Sequence, residues 1–255
     1  MSTARKLKAE IVENTRIAQD IYSMWLKDRE MAEEARPGQF VSLYCRDKSR
    51  LLPRPISICE IDRKEGMLRL VYRVAGKGTE EFASLKPKDF IEVMGPFGNG
   101  FTLEGKKALL IGGGIGIPPM LELAKQLKCE MNIVLGYRDI TFLEHEFEAY
   151  GQVAISTEDG SKGTKGNVID AIKENQMTAD IIFACGPTPM LRGIQAYAKE
   201  HGIKAQLSME ERMACGIGAC LACVCKTKET DHHSNVKNKR ICLDGPVFYA
   251  DEVEL

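Results

Sequence analysis

Four cysteines in the last fifth of the chain constrain its structure more than any other feature. Three of them follow the spacing Cys215-x4-Cys220-x2-Cys223, and Cys242 lies beyond a charged loop. The residues between the first two are Gly-Ile-Gly-Ala. Small side chains let a backbone approach a bound group closely, and glycine permits the positive φ that such wrapping requires. The segment is therefore suited to wrap around a group that the four thiols hold.

This spacing is that of a plant-type [2Fe-2S] site, whose ligands here would be Cys215, Cys220, Cys223 and Cys242. A zinc site of four cysteines and a disulfide framework are the alternatives. Zinc ribbons usually pair two short Cys-x2-Cys motifs, and Cys242 has no cysteine near it in the sequence, so the spacing favours the cluster. Cys225 could compete as a ligand, but we interpret it as a buried thiol of the following strand.

Length and composition indicate two ordinary domains and a small appendage. The chain has 255 residues, of which 44% are hydrophobic and 28% charged, and a formal net charge of -1. This charge balance predicts neither a nucleic-acid partner nor a membrane partner. The N-terminus lacks the apolar stretch of a secretory signal, and the uncharged run 108–121 is too short to span a bilayer. Nine cysteines without a signal suggest a reducing compartment, so we expect a cytoplasmic protein.

The first 100 residues show the pattern of short β-strands. Apolar and polar residues alternate from Leu68 to Val74, the period of two that is typical of a half-buried strand. Turn signals such as Arg36-Pro37-Gly38 separate the runs. Six strands, at 6–13, 20–27, 39–45, 56–61, 67–74 and 90–94, with one helix at 79–85, predict a small closed antiparallel β-barrel.

From Lys106 the pattern changes to alternating strands and helices. Continuous apolar strands are expected at 108–111, 132–135, 153–156, 181–184 and 205–209, with helices at 119–127, 144–150, 168–174 and 190–200. This order predicts a parallel α/β sheet that is covered on both faces. The fold class is therefore a multidomain α/β and β protein. We expect a barrel domain at 1–100, a nucleotide-binding domain at 101–208 and a cluster domain at 209–255.

Two short motifs of the barrel suit a phosphate-bearing cofactor. Arg54-Pro55-Ile56-Ser57 opens a strand, where Arg54 could contact a pyrophosphate with two N–H groups and Ser57 could donate to a flavin nitrogen. Gly76-Lys77-Gly78-Thr79 precedes a helix, whose first N–H groups are free to bind phosphate. Taken alone, the first motif is better explained as a proline at the start of a strand than as a binding site. The second is explained equally well as a turn with a helix cap. Their combination favours a phosphate cradle.

The glycine-rich segment from Gly112 to Gly116 follows a predicted strand and opens a helix, where a dinucleotide pyrophosphate binds in α/β folds. Its match to the usual fingerprint is weak, because Ile117 stands at the third glycine position and no acidic residue clearly closes the second strand. A plain glycine-rich connection remains the alternative. Cys185-Gly186-Pro187 ends a later parallel strand and would face the same crevice. The acidic stretch 157–159 would disfavour a 2′-phosphate if it faced the adenosine ribose.

No Ser/His/Asp set and no paired carboxylates stand out in the sequence. The histidines do not lie at a ligand spacing with the cysteines, and we interpret all four as surface residues: His145, His201, His232 and His233. The chemistry of an enzyme with this sequence would therefore belong to its cofactors.

The order of these motifs resembles the ferredoxin-NADP reductase superfamily. A barrel with Arg-Pro-x-Ser is followed by a Gly-Gly-Gly-Ile-Gly-Ile-Pro segment and by Cys-Gly-Pro. The segment from Glu211 to Cys223, together with Arg-Ile-Cys-Leu-Asp-Gly-Pro at 240–246, is similar to the electron-transfer subunits of NAD-dependent (B-type) dihydroorotate dehydrogenases. The resemblance covers the whole chain.

The resemblance implies one FAD, one [2Fe-2S] cluster and NAD(H) as the substrate. It implies a partner subunit that carries FMN and oxidises dihydroorotate in pyrimidine synthesis, in a heterotetramer of two plus two chains. FAD would be held by Arg54, Pro55, Ile56, Ser57, Val71, Tyr72, Arg73, Gly78 and Thr79. The nicotinamide side would be formed by Gly112, Gly113, Gly114, Gly116, Cys185, Gly186 and Pro187. Because Tyr72 faces away from Val71 and Arg73 on its strand, some contacts to FAD would come from the backbone.

The implied electron route runs from the partner's FMN through the cluster and FAD to NAD+, with no acid–base residue in this chain. FAD lies between the other two because NAD(H) exchanges two electrons as hydride and the cluster carries one. The first alternative is a flavin and iron–sulfur reductase subunit of a hydrogenase or of a ferredoxin:NADP oxidoreductase complex. A non-enzymatic electron carrier and a zinc-bound interaction module are the others.

Overall fold

The structure is a computed structural model that describes residues 6–230 and 235–255. His232 and His233, interpreted above as surface residues, lie outside the described residues. Within the described ranges, no helix combines the length and the apolar character needed to cross a membrane.

The N-terminal part of the chain forms six strands: β1 (Lys6–Ala18), β2 (Ile21–Lys27), β3 (Phe40–Tyr44), β4 (Arg54–Asp62), β5 (Met67–Arg73) and β6 (Phe90–Phe97). They close into an antiparallel barrel in the order β1-β2-β5-β4-β3-β6. Successive side chains of a strand face opposite sides, so Ile11, Met24, Leu43 and Leu70 fill the barrel core. The closed barrel predicted from the period-two pattern is confirmed.

Two helices accompany the barrel, α1 (Arg29–Glu34) and α2 (Lys77–Ser84). The second is the predicted helix, and it begins two residues earlier than expected. The sequence pattern does not predict α1, because this short helix is mostly charged and buries little beyond Met31. Its start is fixed by Asp28, whose side chain accepts the N–H of Met31 at 2.9 Å.

Beyond the barrel the chain alternates between strands and helices. The strands are β7 (Lys107–Gly113), β8 (Glu130–Tyr137), β9 (Gln152–Thr157), β10 (Thr164–Lys165), β11 (Ile181–Cys185) and β12 (Lys204–Ser208). The helices are α3 (Pro118–Gln126), α4 (Glu144–Phe147), α5 (Val168–Glu174) and α6 (Thr188–His201). The six strands are parallel and lie in the order β10-β9-β8-β7-β11-β12, which confirms the parallel α/β domain.

This sheet is covered on both faces. On one face, α3 packs against Leu110 and its neighbours, together with Cys59 and Val71 of the barrel. On the other face, α5 and α6 pack against Leu109 and Leu207. The barrel therefore shares an apolar core with one face of the sheet.

The C-terminal region folds around a two-stranded antiparallel pair, β13 (Val224–Lys226) and β14 (Asn238–Arg240). After it, β15 (Val247–Tyr249) returns to the central sheet and pairs antiparallel with β12. The segment at 95–100, where the barrel ends, also contacts this region, since the N–H of Asn99 donates to the carbonyl of Gly245 at 2.6 Å. The region that carries the four cysteines is thus anchored to both larger parts of the molecule.

Charged side chains also join the barrel to the sheet. Arg69 of β5 forms ion pairs with Glu60 of β4 at 2.9 Å and with Glu146 of α4 at 2.5 Å. Glu122 of α3 is buried and accepts the N–H of Ile61 at 2.7 Å. Because the side chain of Arg69 is only 11% exposed, water screens its ion pairs weakly. These contacts fix how the barrel faces the edge of the sheet.

Candidate functional site

A cleft of about 270 Å³ opens where the barrel, the carboxyl edge of the sheet and the C-terminal region meet. Ligands of open α/β sheets bind outside the carboxyl ends of the strands, so the cleft lies where the fold predicts a ligand. The residues that line it are Phe40, Pro55, Ile56, Ser57, Val71, Tyr72, Arg73, Ala75, Ile115, Gly116, Cys185, Gly186, Ser208, Met209, Glu210, Glu211, Met213 and Pro246. Residues predicted for FAD and residues predicted for NAD therefore share one cleft.

Arg54 is the first residue of β4, and its guanidinium reaches the N-terminus of α2. A Cβ atom on Gly78 would lie 2.5 Å from Nε of Arg54, so the absence of a side chain at Gly78 makes room for the guanidinium. The first N–H groups of a helix have no intrahelical partner. The guanidinium and this helix end therefore place several N–H donors close together, an arrangement that could hold a diphosphate.

The hydroxyl of Thr79 is already engaged in the turn before α2. It accepts the N–H groups of Ala75 at 2.9 Å and Gly76 at 3.2 Å, and it donates to the carbonyl of Gly76 at 3.0 Å. The side chain of Thr79 therefore shapes the turn that presents the helix end. A contact between Thr79 and a bound phosphate would therefore use its backbone N–H.

On β5, the side chains of the three predicted residues point in different directions, as their spacing suggests. The ring of Tyr72 lies in the barrel core, where it stacks on Tyr22 and its hydroxyl donates to Asn14 at 3.2 Å. Burial raises the pKa of Tyr72 above its ordinary value. Val71 packs towards the sheet and Arg73 is exposed. Tyr72 can therefore contact a ligand in the cleft through its backbone.

The predicted glycines and the Cys-Gly-Pro segment lie side by side at the carboxyl edge of the sheet. Cys185 pairs with Gly112 in the ladder between β11 and β7. A Cβ atom on Gly116 would collide with the carbonyl of Cys185, and one on Gly113 would lie 3.2 Å from Cδ of Pro187. Gly114 has a φ of 53°, and a Cβ there would meet open space. The two segments thus form one small-residue surface that a flat ligand could approach.

Cys185 lines the cleft, and its surroundings keep its thiol neutral. Burial raises its pKa to about 12, although a hydrogen bond with Ser208 acts in the opposite direction. A neutral thiol can pack against a flat ring through its polarisable sulfur, and it brings no charge to the ring. Cys185 is therefore suited to pack against a nicotinamide rather than to act as a nucleophile.

A second cavity lies beside the first, at the end of β8. It is lined by Gly114 and Arg73 and by the segment that follows β8, which contains Arg138 and Asp139. Arg138 forms an ion pair with Asp139 at 3.0 Å. In α/β dinucleotide sites, an acidic residue after the second strand binds the adenosine ribose. Asp139 occupies that position, two residues after the end of β8.

The four cysteines of the spacing motif come together beside β3 as two pairs of thiols. Sγ of Cys220 lies 3.2 Å from Sγ of Cys215. Cys242 and Cys223 are both buried in one apolar cluster. Cys225 is buried in β13, in the same apolar cluster as Cys223 and Cys242, and burial raises its pKa to about 11. In the described part of the chain, no three His, Cys, Asp or Glu side chains surround a single point closely enough to hold one metal ion.

The loop that carries these thiols aims N–H groups at the sulfurs. Partial burial raises the pKa of Cys215, but the N–H of Ile217, the thiol of Cys220 and the N–H groups of residues 219 and 220 outweigh it and lower this pKa to about 6. The N–H of Gly218 donates to Sγ of Cys242 at 3.1 Å. Such donors stabilise a negatively charged sulfur, as an iron–sulfur cluster requires.

Glycine is required in this loop for conformational reasons. Gly216 and Gly218 have φ values of 69° and 79°, in the left-handed region that favours glycine. Arg240 donates to the carbonyl of Gly218 at 2.9 Å and pairs with Asp244 at 3.3 Å, which fixes the loop against the strand before Cys242. The residues present therefore fit a thiolate-bound cluster, by their donor set and by the space around it.

Sequence reasoning missed several residues of the cleft. Phe40, Ile115, Ser208, Met209 and Met213 line it, but each is an apolar or small residue without a motif of its own. Only the fold brings them together. Asp139 had a usable signal, because an acidic residue after the second strand is part of the dinucleotide fingerprint.

An antiparallel barrel is packed on a parallel sheet with a glycine-rich edge, and a cysteine loop follows them. This combination defines a class of proteins: flavin-dependent oxidoreductases of pyridine nucleotides with an iron–sulfur domain. Two family models match the chain. The oxidoreductase FAD-binding domain matches residues 8–101, and the iron–sulfur cluster binding domain of dihydroorotate dehydrogenase B matches residues 210–254.

Curated relatives agree over nearly the full length. The chain is 42% identical over 250 residues to the dihydroorotate dehydrogenase B (NAD(+)) electron transfer subunit of Caldanaerobacter subterraneus subsp. tengcongensis, covering 97% of this chain and 98% of that protein. It is 44% identical over 259 residues to the subunit of the same name from Fusobacterium nucleatum, covering 96% and 97%. The chain belongs to the family of electron transfer subunits of dihydroorotate dehydrogenase B.

Solved structures share the fold. An NADH-dependent reduced ferredoxin-NADP oxidoreductase superposes with a TM-score of 0.86 at 32% identity, covering 96% of this chain and 89% of that one. Phthalate dioxygenase reductase superposes with a TM-score of 0.62 at 16% identity, covering 93% and 94%, which shows the fold alone. The family identified from the sequence is confirmed, and with it FAD and an iron–sulfur cluster as cofactors of an NAD-linked oxidoreductase.

Proposed function

We propose that this chain carries electrons from the FMN of a dihydroorotate dehydrogenase catalytic subunit to NAD+, in pyrimidine synthesis. One observation carries this proposal: the barrel, the glycine-rich sheet edge and the start of the cysteine loop all line the same cleft. Three functional units, at 1–100, 101–208 and 209–255, would each contribute one wall. No residue of the chain is assigned a catalytic role in dihydroorotate oxidation.

The barrel residues would hold FAD. Arg54 and the N-terminus of α2 at Gly78 and Thr79 would bind its diphosphate, because cationic and N–H donors converge there. Ser57 would donate to the flavin, with Pro55 and Ile56 beside it, and the β5 segment Val71–Arg73 would contribute backbone and one exposed arginine. Bound FAD supplies the step between hydride exchange with NAD(H) and single-electron exchange with a cluster.

The sheet edge would hold the nicotinamide half of NAD(H). Gly112, Gly113, Gly114 and Gly116 keep the backbone open, and Cys185-Gly186-Pro187 lies directly against them. The neutral thiol of Cys185 would pack against the nicotinamide ring. These residues orient the dinucleotide and exclude water, and they transfer no proton.

The four thiols would hold a [2Fe-2S] cluster. A mononuclear zinc site places all four sulfurs around one ion, whereas a binuclear cluster gives two thiolates to each iron. The close approach of Cys215 to Cys220, and the burial of Cys223 with Cys242 in one cluster, support the binuclear group. The N–H donors of the loop stabilise the charge that the thiolates carry.

The surface around the cysteine loop would contact the catalytic subunit. Three apolar side chains are unusually exposed here: Ile217 at 45%, Leu221 at 69% and Leu243 at 45%. Leu243 packs against Gly218, so these side chains lie around one loop. A cluster under this surface would lie close to a cofactor of the partner. We further propose an FMN-containing partner, a heterotetramer of two plus two chains, and a cytoplasmic location, where the nine free cysteines stay reduced.

A ferredoxin:NADP oxidoreductase complex is the second candidate. The close likeness to an NADH-dependent reduced ferredoxin-NADP oxidoreductase favours it. The two functions differ in the partner that delivers electrons. Reduced ferredoxin and the dihydroorotate-oxidising subunit should therefore be compared as electron donors in the same NAD+ reduction assay.

The first experiment is a visible spectrum of the anaerobically purified chain, with flavin, iron and sulfide assays. We expect flavin bands with a shoulder at longer wavelength, and about two irons per FAD. Cys220→Ser should lose iron, sulfide and dihydroorotate-driven NAD+ reduction by the complex, while Cys225→Ser, a neighbouring cysteine outside the pairs, should keep all three. Zinc in place of iron, or equal activity of the two variants, would refute the proposal.

A further inference from the structure

One buried hydroxyl beside the cysteine loop lacks a hydrogen-bond partner. Ser42 lies in the middle of β3 and is 1% exposed, and its Oγ makes no hydrogen bond with the described residues. The large majority of buried side-chain polar atoms in proteins are paired, so this hydroxyl requires an explanation. Ser156 of β9 is a second buried hydroxyl in the same condition, and it lies in the parallel sheet.

The direction in which Ser42 faces is set by the strand. Val41 and Leu43 on either side of it fill the barrel core, so Ser42 points out of the barrel. Phe40, on the same face as Ser42, packs against the buried cysteines 223 and 242. The hydroxyl of Ser42 therefore faces the region that carries the cluster ligands.

Its nearest neighbour there is the residue that follows the first ligand. A Cβ atom on Gly216 would lie 2.9 Å from Oγ of Ser42. Gly216 is buried and follows Cys215, so the hydroxyl and the start of the loop enclose the same small space. Ser42 also pairs with Pro55 across the ladder to β4. It therefore stands between the loop and the strand to which we assign FAD.

We propose that Ser42 is a positioning residue whose hydroxyl donates a hydrogen bond to a sulfur of the iron–sulfur centre on the Cys215 side and raises its reduction potential. The inference rests on the proposed function, since it requires the cluster. A hydrogen bond to a cluster sulfur stabilises the reduced, more negative state more than the oxidised one. The hydroxyl of Ser42 would thus form a hydrogen bond when the cluster is bound.

The test is a redox titration of the purified full-length chain, followed by EPR of the reduced cluster. Ser42→Ala should make the cluster harder to reduce, by roughly tenfold in the one-electron equilibrium, which corresponds to about 59 mV. Ser42→Thr keeps the hydroxyl and should restore most of the potential. Ser156→Ala, which removes the other unpartnered buried hydroxyl, should leave the cluster potential unchanged.

An unchanged potential in Ser42→Ala at full iron and sulfide content would overturn the inference, and it would leave the proposed function intact. Absence of iron from the wild-type chain would instead refute the proposed function itself.

If Ser42→Ala does not retain a cluster, the isosteric variants Ser42→Thr and Ser42→Val provide a second test by redox titration. A cluster that is harder to reduce in Ser42→Val than in Ser42→Thr supports the hydrogen bond. Equal potentials in the two variants contradict it.

Discussion

Replacing Gly78 by alanine tests the diphosphate cradle without removing any functional group. The new Cβ would lie 2.5 Å from Nε and 2.8 Å from Cζ of Arg54. Carbon and nitrogen atoms pack at about 3.5 Å or more, so the guanidinium must move by about 1 Å. Hydrogen bonds tolerate only a few tenths of an ångström around their optimal length, so this shift breaks the contact of Arg54 with a bound diphosphate.

The expected magnitude follows from the charge of the contact. Hydrogen bonds to charged groups contribute about 1.5–3 kcal/mol each, so FAD should bind roughly 10- to 100-fold more weakly to Gly78→Ala. Thermal stability of the apo chain should not fall, because alanine is favoured over glycine within a helix by about 1 kcal/mol. The measurement is a titration of the deflavinated protein with FAD, followed by flavin fluorescence.

Gly193→Ala is the matched control, since it makes the same change in α6 at a position where a Cβ meets nothing within 4 Å. Its affinity for FAD should equal that of the wild type. Wild-type affinity in Gly78→Ala as well would refute the role of Arg54. A lower thermal stability of Gly78→Ala would show that the clash disturbs the fold rather than the cradle.

Three further predictions concern specificity, stability and pH. Asp139→Asn should raise the preference for NADPH over NADH by about fivefold to tenfold in kcat/KM, because it removes a negative charge that would repel a 2′-phosphate. Arg69→Ala should lower the free energy of unfolding by about 2 kcal/mol in urea titrations, because it removes charged hydrogen bonds to Glu60 and Glu146 while Lys125 still pairs with Glu60. Burial raises the pKa of Glu144, but its ion pair with Lys162 at 2.7 Å, together with hydrogen bonds from its own N–H and from Thr141, lowers this pKa overall. The pair should therefore stabilise the fold above the ordinary carboxyl pKa and lose its effect as the pH falls below it, so that Lys162→Met destabilises the chain more at about pH 7 than at about pH 3.

The first two of these predictions have a control in the structure. Glu158→Gln, next to the end of β9, lies one strand farther from the glycine edge and should leave the NADPH preference unchanged. Glu146→Gln should cost less than Arg69→Ala, because its carboxylate is 40% exposed and water compensates it. An equal loss from Lys162→Met at both pH values would contradict the assignment to Glu144.

The barrel, the sheet and the cysteine loop could be predicted because each has a local signature. Strand periodicity, apolar runs and cysteine spacing all depend on residues close in sequence. The conformation of the loop after Cys215 could also be predicted. Gly216 and Gly218 have the positive φ values expected of glycines that let a loop wrap around a bound group.

The other parts of the site depend on contacts that no local pattern encodes. The apolar run of β8 ends at Leu135, but the strand continues through Tyr137, and this places Asp139 in the wall of the second cavity. The hydroxyl of Ser42 looks like an ordinary polar position of a half-buried strand, and only the packing of the loop against β3 makes it notable. The acidic stretch at 157–159 belongs to β9 and the turn after it, one strand farther from the glycine edge.

The return of β15 to the sheet gives the cysteine region a particular topology. Ser208 at the end of β12 pairs directly with Val247 at the start of β15, so the chain leaves the sheet and re-enters it at adjacent positions. The segment 209–246 is thus an insertion at the tip of the β-hairpin that β12 and β15 form, a kind of position where insertions are well tolerated. A short turn that joined Ser208 to Val247 would excise the metal-binding module and leave a two-domain flavoprotein whose sheet keeps all of its strands.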